Sequence, residues 1–411
     1  MSTTLKMQIS ALANQCVRCG LCLPQCPTYQ LNPCEAESPR GRIALLAALA
    51  ADELKLEPTL QQHIDQCLTC RQCETVCPAH VPYESLLIKG RTLIQQQACR
   101  KQPLNIFVHC LTHSAKWRRR LWQTYQYAQK SGILYLSKRL GLTRLLKLER
   151  LLSYVPHQTT PAFINNGYYP TSQVKRGCVA LLLGCASDIL EPHTLSDAIS
   201  LLTTWGFDVH VPLQQTCCGA LHAHAGLMTL AQKKAHRNNT ILQCAHQQQS
   251  FDAMISLTTG CHATWQSSLR LTAPLFDIQD FLLMHWPSDL KLKPLTMTIA
   301  VHEPCSQRNS IKQASLSMRL LMSIPTIHLL PFGSNSCCGA AGDYFLTQPS
   351  IGDQLGQQSI RDLTSIALTG IASANLGCRL QLAKQLNIKN LSTLHFYHPI
   401  SLLALALNGT T

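Results

Sequence analysis

Eight cysteines near the start of the chain fall into two runs, Cys16-x-x-Cys19-x-x-Cys22-x-x-x-Cys26-Pro27 and Cys67-x-x-Cys70-x-x-Cys73-x-x-x-Cys77-Pro78. Thiolates at this spacing bind [4Fe–4S] clusters: the first three wrap one cluster, and the fourth, followed by proline, reaches across to the other. The spacing therefore assigns Cys16, Cys19, Cys22 and Cys77 to one cluster, and Cys67, Cys70, Cys73 and Cys26 to a second. Disulfides and zinc are the competing uses of cysteine. The chain has 21 cysteines, an odd number. Residues 1–16 lack the basic-then-apolar order of a secretory signal, so a cytoplasmic setting is expected, where metal binding outweighs disulfide formation. Zinc sites use separated CxxC pairs rather than four cysteines in one run.

A second cysteine pattern occupies the C-terminal half and is an internal repeat. Cys185, Cys217 and Cys218 recur 120 residues later as Cys305, Cys337 and Cys338; Cys261 recurs as Cys378, 117 residues on. In each copy the paired cysteines precede a glycine, Gly219 or Gly339, which permits an unusual turn. These eight thiols are candidates for a further metal or cluster site; a buried structural role and a redox-active thiol pair are the alternatives. Cys34, Cys99, Cys110, Cys178 and Cys244 fall outside both patterns and are expected to be structural.

The elements that must position these residues follow from apolar patterning. Between the two runs, Arg42 to Ala50 is an Ala/Leu-rich helix former, and a second helix follows Pro82. The expected fold class is multidomain: an α-helical two-cluster ferredoxin unit over 1–100, a basic helical segment and linker over 101–176, and α/β cysteine-rich units over 177–290 and 296–411. Strands are expected at 179–183, 207–211 and 253–257, and at 297–301, 327–330 and 366–368, alternating with helices as in a parallel sheet. The cysteines then follow strands, at the end of the sheet where sites gather. Pro156, Pro161, Asn165, Asn166, Gly167 and Pro170 mark the linker.

Net charge is +14. Ten basic residues and the single acid Glu149 fall between Ala115 and Arg150, interleaved with Trp117, Trp122, Tyr127, Tyr135 and leucines. This reads as one or two basic amphipathic helices suited to a membrane surface or a subunit contact, with a solvated connector as the alternative. No nucleic-acid recognition motif accompanies the charge. No stretch approaches the roughly 18–20 apolar residues of a spanning helix, so a soluble protein, or one peripheral on the inner face of the membrane, is expected. Arg40 and Arg42 are expected in surface salt bridges. His222, His224 and His302 lie close enough to cysteines to ligate metal or handle protons, but ordinary exposed histidines are the expectation.

Two CxxCxxCxxxCP runs followed by two CCG units resemble the iron–sulfur subunits of flavin-linked 2-hydroxyacid dehydrogenases. Glu37-Ser38-Pro39-Arg40-Gly41-Arg42-Ile43, Leu183-Gly184-Cys185, Cys337-Cys338-Gly339-Ala340-Ala341-Gly342 and Ala372-Ser373-Ala374-Asn375-Leu376-Gly377-Cys378 carry the likeness, the last pointing to the glycolate oxidase (glycolate dehydrogenase) branch. The resemblance implies that an FAD-bearing partner takes hydride from glycolate to give glyoxylate. This chain would then pass single electrons to a quinone or other acceptor, with no catalytic residue of its own. It also implies rivals: the corresponding subunits for L-lactate or anaerobic glycerol-3-phosphate oxidation, and of heterodisulfide reductase. No GxGxxG fingerprint for flavin or nicotinamide occurs. Copies in heterodisulfide reductases end in CxxC; here Thr264 and Gln381 stand where that last thiol would be. A module in which clusters only stabilise the fold is the non-enzymatic alternative.

Overall fold

The computed structural model describes residues 2–97, 112, 115–145, 149–154, 167–333, 337–361, 363, 366–388 and 394–409. Cys99, Cys110 and the linker residues Pro156, Pro161, Asn165 and Asn166 lie outside them. Residues 2–97 form helices joined by loops, without a strand. Helices Ser2–Ala13, Pro39–Ala50 and Tyr83–Gln97 pack around Ile9, Leu46, Leu86 and Leu87, all fully buried. The Ala/Leu run and the segment after Pro82 are thus helical as expected. Proline occupies the first turn of Pro27–Leu31, Pro39–Ala50 and Pro58–Asp65, where its missing N–H costs nothing.

The repeat builds two sheets. The first has order β1-β3-β2-β4-β5, from β1 (Tyr168–Tyr169), β2 (Gly177–Leu182), β3 (Phe207–His210), β4 (Ala253–Ser256) and β5 (Leu275–Asp277). The second has order β7-β6-β8-β9, from β6 (Thr298–His302), β7 (His328–Phe332), β8 (Gly370–Ser373) and β9 (His395–Tyr397). All pairings are parallel except β1 with β3. Without β1 the two orders coincide, so the duplicated cysteines ride on a duplicated sheet. One apolar core spans both, from Leu181 and Val209 through Phe281 to Ile299 and Leu403.

Three expectations change. The third strand of the second copy is Gly370–Ser373, not the run at 366–368; Ile299 pairs with Gly370 and Val301 with Ala372, while Ile366 is exposed. Tyr168–Tyr169, inside the expected linker, forms an edge strand on β3. At the other end of that stretch Tyr154 is buried against Phe345, and its hydroxyl donates to Gln381 Oε1 (2.7 Å). Turn-forming residues broke the pattern, but aromatic residues before and among them found partners on the sheet domains.

Candidate metal centres and the cavity between the repeats

Both N-terminal cysteine runs adopt the same unusual backbone. The second and fourth residues after the first cysteine have positive φ: Arg18 and Gly20 in one run (57° and 86°), Thr69 and Arg71 in the other (53° and 59°). Left-handed residues in such a loop turn successive N–H groups inward, the concave form suited to an iron–sulfur site. Cys16, Cys19, Cys22 and Cys77 line one pocket, and Cys26, Cys67 and Cys70 line the next, with Cys73 and Tyr83 bordering both. Each fourth cysteine therefore sits with the other run's first three.

Buried polar groups surround the second pocket. Arg42 is fully buried, with Nε donating to His63 O (2.7 Å), Nη1 to Thr28 Oγ1 (3.0 Å) and Nη2 to Glu37 Oε2 (2.5 Å); Nη1 lies 4.0 Å from Cys26 Sγ. The expected surface role thus fails for Arg42, because the helix entry folds it inward. Ser38 Oγ caps that helix by accepting from Gly41 N–H (3.0 Å), and Gly41 packs so closely that an added Cβ would lie 1.9 Å from Glu35 O. Arg40 keeps the expected surface ion pair, with Glu35 (2.7 Å). Tyr83 hydroxyl donates to Cys67 Sγ (3.6 Å). Hydrogen bonds to such sulfurs tune a bound cluster's potential.

All eight repeat cysteines line a single cavity of about 250 Å³, joined there by Cys70 of the second run. Each sits beyond the C-terminal end of a strand. Gly219 (φ 96°) and Gly339 (φ 76°) provide the left-handed turn after the paired cysteines, and their N–H groups donate to Cys217 Sγ and Cys337 Sγ, 3.4 Å in both copies. Burial, then the neighbouring Cys337, pushes the Cys305 thiol up to about 12. Burial followed by Cys305 and Cys337 raises Cys70 as well, which places the second run against the second copy. Without a cation such buried thiols stay protonated; a soft metal displaces the protons. The donor set fits thiolate-bound metal in the two N-terminal pockets and in the cavity.

Several residues at the cavity were not singled out from sequence. Asn375 Oδ1 accepts from Cys378 N–H (3.3 Å), and its Nδ2 donates to Ser306 Oγ (3.2 Å). Ser306 in turn meets Thr259 of the first copy (2.8 Å). Position 375 followed a strand and stood three residues before a repeat cysteine, a cap signal available in the sequence. His222 is buried, contrary to expectation, whereas His224 is part-exposed and lies 3.6 Å from Glu84. His302 is buried beside Cys338 and Cys378, also contrary to expectation. Among the extra cysteines Cys178 is buried, but Cys34 and Cys244 are exposed, so interior packing explains only the first.

Comparison with known proteins agrees with this layout. Residues 12–81 match the 4Fe-4S dicluster domain family, and residues 179–266 and 299–383 each match the cysteine-rich domain family. The glycolate oxidase iron-sulfur subunit of Escherichia coli is 29% identical over 92% of this chain and 91% of its own length. The probable glycolate oxidase iron-sulfur subunit of Bacillus subtilis is 28% identical over 92% of this chain and 90% of its own. This chain is a homologue of the glycolate oxidase iron–sulfur subunits. One subunit of the fumarate reductase (CoM/CoB) of Methanothermobacter marburgensis is a more distant relative, 21% identical over 95% of this chain and 72% of its own. Among the described residues of this homologue, no helix is long and apolar enough to cross a membrane.

Proposed function

We propose that the chain is the electron-transfer subunit of a flavin-dependent glycolate dehydrogenase complex, with FAD and the glycolate-oxidising site on a partner subunit. The observation that carries this reading is the unbroken succession of thiol-lined pockets. The first adjoins the second at Cys73 and Tyr83, and the second adjoins the large cavity at Cys70. Its specificity for glycolate rests on relatives named for that oxidase along nearly their whole length. In this reading Cys16, Cys19, Cys22 and Cys77 hold one [4Fe–4S] cluster, and Cys67, Cys70, Cys73 and Cys26 the other, in an α-helical ferredoxin fold. Such clusters supply one-electron chemistry. The repeat cysteines hold further metal. The chain's own residues present thiolates, donate hydrogen bonds to them from Tyr83 and Arg42, and bury Cys26, Cys67 and Cys73 away from water, while Cys19 of the first pocket is exposed.

Anaerobic co-purification of the tagged chain, followed by dye reduction with glycolate, L-lactate or glycerol 3-phosphate, tests the reading. Reduction with glycolate through a co-purifying flavoprotein supports it. Reduction with L-lactate or glycerol 3-phosphate alone would reassign the substrate. Bound iron with no dithionite-reducible EPR signal would leave only an assembly module.

The helices Ala115–Lys130 and Ile133–Arg139 suit contact with an anionic membrane face, where a quinone acceptor resides. Trp117, Tyr127, Tyr135, Leu136 and Leu140 are exposed there among Arg120, Lys130 and Arg139. Aromatic and basic side chains together favour that interface, although Arg118 and Trp122 of the same stretch are buried. Salt-sensitive flotation with anionic vesicles is the expected result; no binding at low salt would remove the membrane contact.

A further inference from the structure

The two copies of the repeat are not chemically equivalent. Strand registers align Leu182 with Ser256 in the first sheet and His302 with Ser373 in the second. The first copy thus offers a leucine where the second offers an imidazole, at the strand end that faces the cysteines. His302 is buried, and its Nδ1 lies 2.9 Å from Ser373 Oγ. One of its ring nitrogens and the sulfurs of Cys338 and Cys378 all fall within 4.8 Å of one another. Those two sulfurs are 2.9 Å apart and unbonded, closely placed for two donors to one centre. The first copy also buries two histidines, His222 and His262, the latter bonded to Ser256 Oγ (2.7 Å), but among the described residues neither joins two cysteine sulfurs in such a trio. The position of the absent CxxC thiol, Gln381, points elsewhere, donating to Gly352 O (2.8 Å) and accepting from the Tyr154 hydroxyl.

We infer that His302 is an imidazole ligand of the metal centre in the second cysteine-rich copy, so that this copy binds metal through thiolates plus one nitrogen and the first through thiolates alone. The inference rests on the reading that the repeat cysteines hold metal. A ligating histidine has its other nitrogen fixed by a hydrogen-bond partner; with Nε2 as the ligand atom, Ser373 at Nδ1 is that partner. Replacing a thiolate by imidazole raises the potential of an iron–sulfur centre, as in Rieske sites, so the two copies would differ in redox behaviour or in metal.

The test uses the full chain, isolated anaerobically and labelled with ¹⁵N-histidine. Iron and zinc are counted in the wild type, His302→Leu, Cys378→Ala and Cys261→Ala. Nitrogen coordination is read by pulsed EPR for iron, or by X-ray absorption for zinc, whose N ligands lie at about 2.0–2.1 Å. Expected are metal beyond the about eight irons of two [4Fe–4S] clusters, a histidine-nitrogen signal in the wild type, its loss in His302→Leu and Cys378→Ala, and its retention in Cys261→Ala. Ser373→Ala should weaken metal retention against a chelator about 10–100-fold. Extra metal with no histidine nitrogen in the labelled wild type overturns the role of His302 and leaves the metal reading standing. No metal beyond the two clusters overturns both. The labelled wild type gives its answer even where a variant fails to fold.

Discussion

Asn309, four residues beyond a cysteine of the second repeat, donates from Nδ2 to the backbone carbonyl of Cys70 in the N-terminal unit (2.8 Å). The same side chain lies 3.3 Å from Gln72 Oε1, and Tyr344 hydroxyl donates to Gln66 O nearby (2.8 Å). Two thiol-bearing loops far apart in sequence are thereby held edge to edge. Asn309 is buried, so Asn309→Ala leaves a carbonyl without its partner and should cost about 1–3 kcal/mol. A lower thermal midpoint with unchanged iron content is expected; an unchanged midpoint would show that the contact does not hold the two units together.

Cys77 belongs to the second run by sequence and to the first pocket by position. Cys77→Ser should therefore disturb the same EPR component as Cys16→Ser and leave the component lost in Cys67→Ser. If Cys77→Ser and Cys67→Ser abolish one common signal, each run holds its own cluster.

Arg42 and Glu37 form an ion pair in which both side chains are almost fully buried. Arg42→Leu removes the permanent cation from a buried carboxylate, leaving it His63 Nδ1 (2.5 Å), and should destabilise the N-terminal unit by about 3 kcal/mol. Arg42→Leu combined with Glu37→Gln should recover part of that loss. A double variant no better than the single one would assign the cost to the hydrogen bonds of Arg42 with Thr28 and His63 instead.

His398 gives a pH dependence. Its Nε2 lies 3.1 Å from Leu257 O, and its Nδ1 accepts from Ile400 N–H (3.2 Å) to cap helix Pro399–Asn408. Burial, then the charge of Arg379, holds it well below its ordinary value. The unfolded chain gains a proton below about pH 6.5 and the folded one does not. Its contribution is therefore full above that pH and lost as pH falls, with a slope approaching about 1.4 kcal/mol per pH unit. His398→Asn keeps an oxygen acceptor at the cap and should remove that slope from unfolding curves between pH 7 and 5. An equal slope in both proteins would show that other groups set the acid sensitivity.

The repeat was legible as two parallel α/β units, yet one strand was misplaced for an instructive reason. Ile366-Ala367-Leu368 is the more apolar run, but the 117-residue offset that relates Cys261 to Cys378 also carries Ala253–Ser256 onto Gly370–Ser373, the observed strand. Register, not local hydrophobicity, decided the pairing. Arg42, His222 and His302 were misjudged similarly: polar residues read as exposed when burial depends on partners that are distant in sequence, such as His63 for Arg42 or Ser373 for His302.

Cysteine spacing by itself determined that the chain offers two cluster-binding runs and a duplicated four-thiol set, because ligand geometry and chain reach restrict such spacings to few uses. Periodicity added the helices and the paired parallel sheets, since burying one face imposes a period. Only the tertiary structure placed all eight repeat thiols around one cavity, brought Cys70 to its wall, and set an imidazole beside the second thiol set where the first copy has Leu182. Those relationships depend on how separate units pack, and packing is fixed by contacts between residues that no local pattern links.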